Sequence, residues 1–111
     1  MKGDISKMKV WPTPAFVKPG SGIAEQLALM ARLVSGDVAG PDFARGWFGA
    51  RSRSLREGER VRERFDRRLN EVFFVLEDSY AIDPDTWEEG DLTDEELVEF
   101  VRTILAEVNS L

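Results

Sequence analysis

The chain has 111 residues, a formal net charge of −6, and neither cysteine nor histidine. That length suits one domain. The missing cysteines exclude disulfides, a thiolate nucleophile and a cysteine zinc site, and the missing histidines remove the commonest general base and transition-metal ligand.

No apolar run approaches the roughly 20 residues that span a bilayer. Lys2, Lys7 and Lys9 are followed by no apolar stretch of the signal-peptide kind, so the expected compartment is the cytoplasm, with no membrane partner.

Residues 1–20 contain Pro12, Pro14 and Pro19, which break any periodic pattern. They predict an extended N-terminal arm, with Trp11, Phe16 and Val17 available to pin it to a core. Residues 21–111 form the expected domain. Its first helix runs from about Ile23 to Ser35, capped by Ser21 or Gly22 and stopped by Gly36. Ile23, Leu27, Met30 and Val34 make its stripe.

The second helix follows Gly40, with Pro41 suited to the first helical position because its missing N–H would be unpaired there. Phe43, Trp47 and Ala50 share one face. Gly46 and Gly49 either weaken this helix or let another helix come close. Arg51, Arg53 and Arg56 suit its C-terminal dipole, and Gly58 ends it.

The third helix is the expected spine, Arg60–Ile82. Val61, Phe65, Leu69, Val72, Phe73, Leu76 and Tyr80 recur at steps of three and four, one stripe over about six turns. Asp83-Pro84 stops it, since the residue before proline avoids helical geometry. The loop Asp83–Asp91 is polar except for Trp87, which is either an exposed anchor or a lid on the core.

Thr93-Asp94-Glu95-Glu96 fits a capping box, with Leu92 and Leu97 as a hydrophobic staple. The fourth helix then carries Leu97, Val101, Ile104 and Val108. Four amphipathic helices on short links predict an all-α fold, an antiparallel four-helix bundle with an extended N-terminal arm.

Charge is distributed unevenly. Residues 45–68 hold nine arginines and four acids, whereas residues 69–111 hold thirteen acids and one basic residue, Arg102. A calcium loop starting at Asp83 fails because Trp87 stands at a ligand position and Glu88 where the glycine belongs. Paired carboxylates for acid–base catalysis need a cleft, which a small bundle rarely offers, so no enzyme and no cofactor is expected.

The remaining reading is an electrostatic docking surface: carboxylates around a helix end occupy the positions that phosphates take in a basic cleft. The arginine-rich face alone suits a phosphate backbone through Arg51, Arg53, Arg56, Arg60 and Arg64. Interleaved Glu57, Glu59, Glu63 and Asp66 instead suggest a salt-laced surface, and an acidic protein is expected to make no direct nucleic-acid contact. A structural adaptor is a third alternative.

Phe43, Trp47, Phe48 and Arg51, then Phe65, Leu69, Phe73, Leu76-Glu77-Asp78 and Tyr80, then Asp83, Asp85 and Asp91–Leu97 together resemble the colicin D immunity-type family. The likeness spans roughly residues 22–108. It implies a four-helix antiparallel bundle and a non-enzymatic inhibitor of a bacterial toxin, for that family a tRNA-cleaving nuclease whose basic cleft is covered in place of the RNA. At matching positions it implies toxin-binding roles for Glu77, Asp78, Tyr80, Asp83 and Asp85, with Glu88 and Glu89 beside them. The implied partner is the cognate toxin domain, met by a monomer or weak dimer.

Overall fold

A computed structural model describes residues 9–111, so the first eight residues of the arm expected over residues 1–20 lie outside the described residues. The described chain folds as β1 (Lys9–Trp11), α1 (Gly22–Ser35), α2 (Gly40–Arg56), β2 (Glu59–Val61), α3 (Glu63–Asp78) and α4 (Asp94–Asn109), with single 3-10 turns at Pro14–Phe16 and Pro84–Thr86. It is mostly helical, with four helices and one two-stranded sheet. No helix among the described residues is long and apolar enough to cross a membrane.

Local chemistry sets the helix ends. The Ser21 side chain accepts from the Ala24 N–H to start α1, and Gly36 ends it at φ 86°, a left-handed conformation that costs glycine least. Thr93 and Glu96 form the reciprocal capping box that starts α4.

The stripe on α4 buries Leu97, Val101, Ile104 and Val108, as its spacing predicts. On α1 the buried face is Ile23, Gln26, Leu29, Met30 and Leu33, while Leu27 and Val34 are only partly buried. The face is turned because α1 packs against both α2 and α4, so a wider arc is covered than one partner would require. Gln26 is accommodated there by donating through Nε2 to Ser54 Oγ at 3.2 Å.

The expected spine is shorter than its periodicity predicts. Gly58 adopts φ 74°, the chain leaves α2 extended, and Glu59–Val61 pairs in parallel with Lys9–Trp11. The α3 helix begins only at Glu63 and ends at Asp78, so Arg60–Arg62 and Tyr80–Ile82 are not helical. Val61 and Tyr80 still reach the core, but from a strand and a loop. The mixed pattern Glu59-in, Arg60-out, Val61-inward has period two, not 3.6. Trp11 and Val17 of the arm pack on the core, whereas Phe16 is exposed and pins nothing.

The pairing of the strands has a structural consequence. Glu59 is only 4% exposed. Its Oε2 accepts from the Gly22 N–H and its Oε1 from the Ile23 N–H, both at 3.0 Å, and Trp11 Nε1 donates to Oε1 at 3.5 Å. A carboxylate from β2 thus caps the first turn of α1 across 36 residues of chain, where free N–H groups and the helix dipole favour an anion.

The close approaches between helices occur at unexpected glycines. A Cβ on Gly22 would lie 2.7 Å from the Ala50 carbonyl oxygen and from the Ser54 amide nitrogen, both backbone atoms of α2. A Cβ on Gly49 meets nothing within 4 Å, and one on Gly46 meets only the flexible end of Leu29 at 3.2 Å.

Gly22→Ala is therefore expected to destabilise by about 2 kcal/mol through overpacking. Gly49→Ala is expected to stabilise by about 0.5–1 kcal/mol through helix propensity. Urea melts of the two variants check this, and equal effects would show that helix spacing at Gly22 is not restrictive.

Candidate functional site

The acidic stretch leaves α3 at Glu77 and Asp78 and runs to the start of α4. Two contacts close it into a loop whose ends meet. The Leu92 N–H donates to the Ser79 carbonyl at 2.7 Å, and the Tyr80 hydroxyl donates to Asp94 Oδ1 at 2.7 Å. This confines every carboxylate between Glu77 and Asp94 to one end of α3. Gly40 lies against the Tyr80–Asp94 pair, and a side chain there would strike the Tyr80 hydroxyl and approach Asp94 Oδ1 to 2.8 Å.

Some of the acids are the loop's own scaffold. Asp83 Oδ1 accepts from the Asp85 N–H at 3.0 Å and caps the 3-10 turn. Asp91 Oδ2 accepts from the Glu88 N–H at 2.9 Å, and Glu96 Oε1 accepts from the Thr93 N–H at 2.9 Å. Side chain-to-backbone hydrogen bonds of this kind order a loop without a core of its own.

Sequence-derived candidates divide accordingly. Asp78, Asp85, Glu88 and Glu89 are exposed, and none of their carboxylates takes part in an ion pair or hydrogen bond among the described residues. Glu77 is exposed too, but it acts on the Arg51 guanidinium, whose pKa burial lowers while Asp66 and Glu77 raise it. Asp83 is engaged in the turn.

Tyr80, to which the resemblance gives a toxin-binding role, is a core residue, 7% exposed. Burial first, and then the hydrogen bond to Asp94, hold its phenol far above the usual tyrosine range, so it remains a donor. Its place in the 3.6-residue stripe is a sign of this burial.

Trp87 is half exposed and lines a shallow groove of about 270 Å³ with Pro41, Tyr80, Pro84 and Leu92. The ring therefore does not close over the core as a lid. Pro41 and Leu92 were not legible as site residues, since one reads as a helix start and the other as a staple.

Among the described residues no arginine forms an ion pair with this end, although Arg51 feels the charge of Glu77. The ion pairs among the described residues join Arg45 to Asp42, Arg53 to Glu25, Arg67 to Glu63, Arg68 to Glu71 and Glu107, and Arg102 to Glu99. None reaches residues 77–96. No group of three acids in a metal-holding arrangement occurs among the described residues. No family model, curated protein or solved structure matches this chain.

Proposed function

We propose that this protein is an immunity-type inhibitor: it binds one cognate toxin domain, a nuclease acting on tRNA or another nucleic acid, and covers that enzyme's basic cleft with the acidic end of α3. The reading rests on one observation. Asp85, Glu88 and Glu89 are unpaired and exposed on the loop that carries half-exposed Trp87 and is closed at both ends, and Asp78 is unpaired and exposed at the end of α3 that leads into it. A preordered anionic surface loses little conformational entropy on docking, and its potential steers encounter with a cationic groove. Trp87 supplies the aromatic anchor that interface hot spots favour.

In this reading the four helices form an antiparallel bundle of the colicin D immunity type, and the protein catalyses nothing. It supplies charge and shape to a partner in the cytoplasm. Complementarity of this kind weakens as salt screens it, except where pairs become buried.

The test is growth rescue. Co-expression with the toxin domain encoded beside this chain is expected to restore growth that the toxin alone arrests. Failure of rescue with both proteins folded and present would remove the proposal.

A further inference from the structure

The opposite end of α3 carries a second charged surface. The end of α2, strand β2 and the first turn of α3 bring together Arg56, Arg60, Arg62 and Arg64, all exposed. None of the four is in an ion pair among the described residues. Of the four acids interleaved with them in sequence, three have contacts elsewhere. Glu59 is turned inward to cap α1, Glu63 pairs with Arg67 at 3.6 Å, and Asp66 accepts from Asn70 Nδ2 at 3.1 Å. Arg51 and Arg53 are committed elsewhere, to Asn70 at 2.9 Å and to Glu25 at 2.6 Å.

The geometry points to a contact site for the phosphodiester backbone of a single nucleic-acid strand, formed by Arg56, Arg60, Arg62 and Arg64. Arg60 lies on the outer face of β2. Arg62, whose N–H continues the ladder by donating to the Trp11 carbonyl at 3.1 Å, falls two residues further on the same face. Two residues of strand put them about 7 Å apart, comparable with the step between successive phosphates along a strand. Arg56, at the end of α2, and Arg64, in the first turn of α3, flank the pair along the chain.

All four are arginines, and no lysine occurs after Lys18. Guanidinium forks match phosphate oxygens in bidentate fashion, as ammonium groups do not. The amphipathic helices α2 and α3 that flank the patch turn their apolar faces into the core, unlike a helix that lies in a membrane surface.

Overall acidity does not prevent this contact. Arg64 and Asp78 stand 14 residues apart along α3, about 21 Å at 1.5 Å per residue. That exceeds the Debye length of about 8–10 Å near physiological salt, so the acidic end is screened from the patch.

Fluorescence anisotropy of an end-labelled 12-nucleotide single-stranded RNA with the full chain in 50 mM salt tests the site. Saturable binding is expected, with log K falling against log salt at a slope of about −3 for four phosphate contacts. DNA of the same sequence should bind equally, because nothing in the row reads a 2′-hydroxyl.

R60E/R62E should weaken binding at least ten-fold with an unchanged melting curve, and R56A/R64A should do the same should the first variant fold poorly. R45E/R102E, with the same change in net charge, should stay within two-fold. Absence of saturable binding up to about 1 mM protein, an equal loss in all variants, or capture by anionic phosphatidylserine vesicles without RNA binding would overturn the assignment. No toxin enters this assay, so its outcome is independent of the inhibitor reading.

Discussion

On the inhibitor reading proposed above, replacing Asp85, Glu88 and Glu89 together by lysine is expected to abolish protection against the cognate toxin while leaving the fold intact. The three side chains are exposed and make no hydrogen bond or ion pair among the described residues, so their loss removes no internal contact. Surface changes of that kind alter stability by no more than about 0.5 kcal/mol. Binding should respond very differently, because reversal turns an attractive potential into a repulsive one. Association rates that steering raises to about 10⁸ M⁻¹s⁻¹ fall towards 10⁵–10⁶ M⁻¹s⁻¹ without it, a loss of at least a hundred-fold.

Trp87→Ala should act on dissociation instead, by about 2 kcal/mol or roughly thirty-fold, as truncation of a central aromatic does. Surface plasmon resonance at two salt concentrations separates the two effects. A triple variant that binds within three-fold of the parent, and still rescues growth, would place the interface elsewhere. Asp83 and Asp91 are unsuitable for this experiment, because their carboxylates hold the loop through the Asp85 and Glu88 amides.

Glu59→Ala carries the largest expected loss of stability. The substitution leaves the Gly22 and Ile23 amides without acceptors in a buried setting and removes an anion from the N-terminus of α1. Unsatisfied buried donors cost about 1–3 kcal/mol, and a partly buried charge at a helix end contributes up to about 2 kcal/mol. A net loss of about 3 kcal/mol is reasonable, since α1 frays to recover solvent for the freed amides.

For a chain of this size that corresponds to a fall in Tm of roughly 15 °C. Glu59→Gln keeps one acceptor oxygen and should lose about half as much. Calorimetry decides the matter: a Tm within 3 °C of the parent for the alanine variant would mean that the contact across β2 and α1 carries no weight. Asp42→Ala offers the contrast, because its pair with Arg45 is solvent-exposed on both sides, and such pairs contribute little.

Glu59 and the acids of residues 77–89 also mark where reading the chain succeeds and where it stops. The acids of residues 77–89 are conspicuous as composition alone, and their exposure follows from the cost of burying an unpaired charge. Glu59 carries the same charge and looks like one more surface acid between arginines. Nothing in its neighbours discloses that it caps a helix that begins 37 residues earlier. The alternation through Glu59, Arg60 and Val61 after Gly58 was a signal for a strand, but a three-residue strand is too short to outweigh a helical stripe that resumes at Phe65.

What the amino-acid order determined by itself is local: the Ser21 and Thr93 caps, the Gly36 stop, the apolar stripe of α4, and the concentration of carboxylates after Leu76. Each depends on groups within about four residues, the reach of a helical hydrogen bond or a tight turn. Tertiary structure decided the rest: the parallel pairing of β1 with β2, the inward turn of Glu59, the burial of Tyr80 on Asp94, and the separation of unpaired arginines from unpaired acids along α3. Those outcomes depend on which distant segments meet, and a contact across dozens of residues is selected by the packing of the whole core rather than by any pattern that a short window of sequence contains.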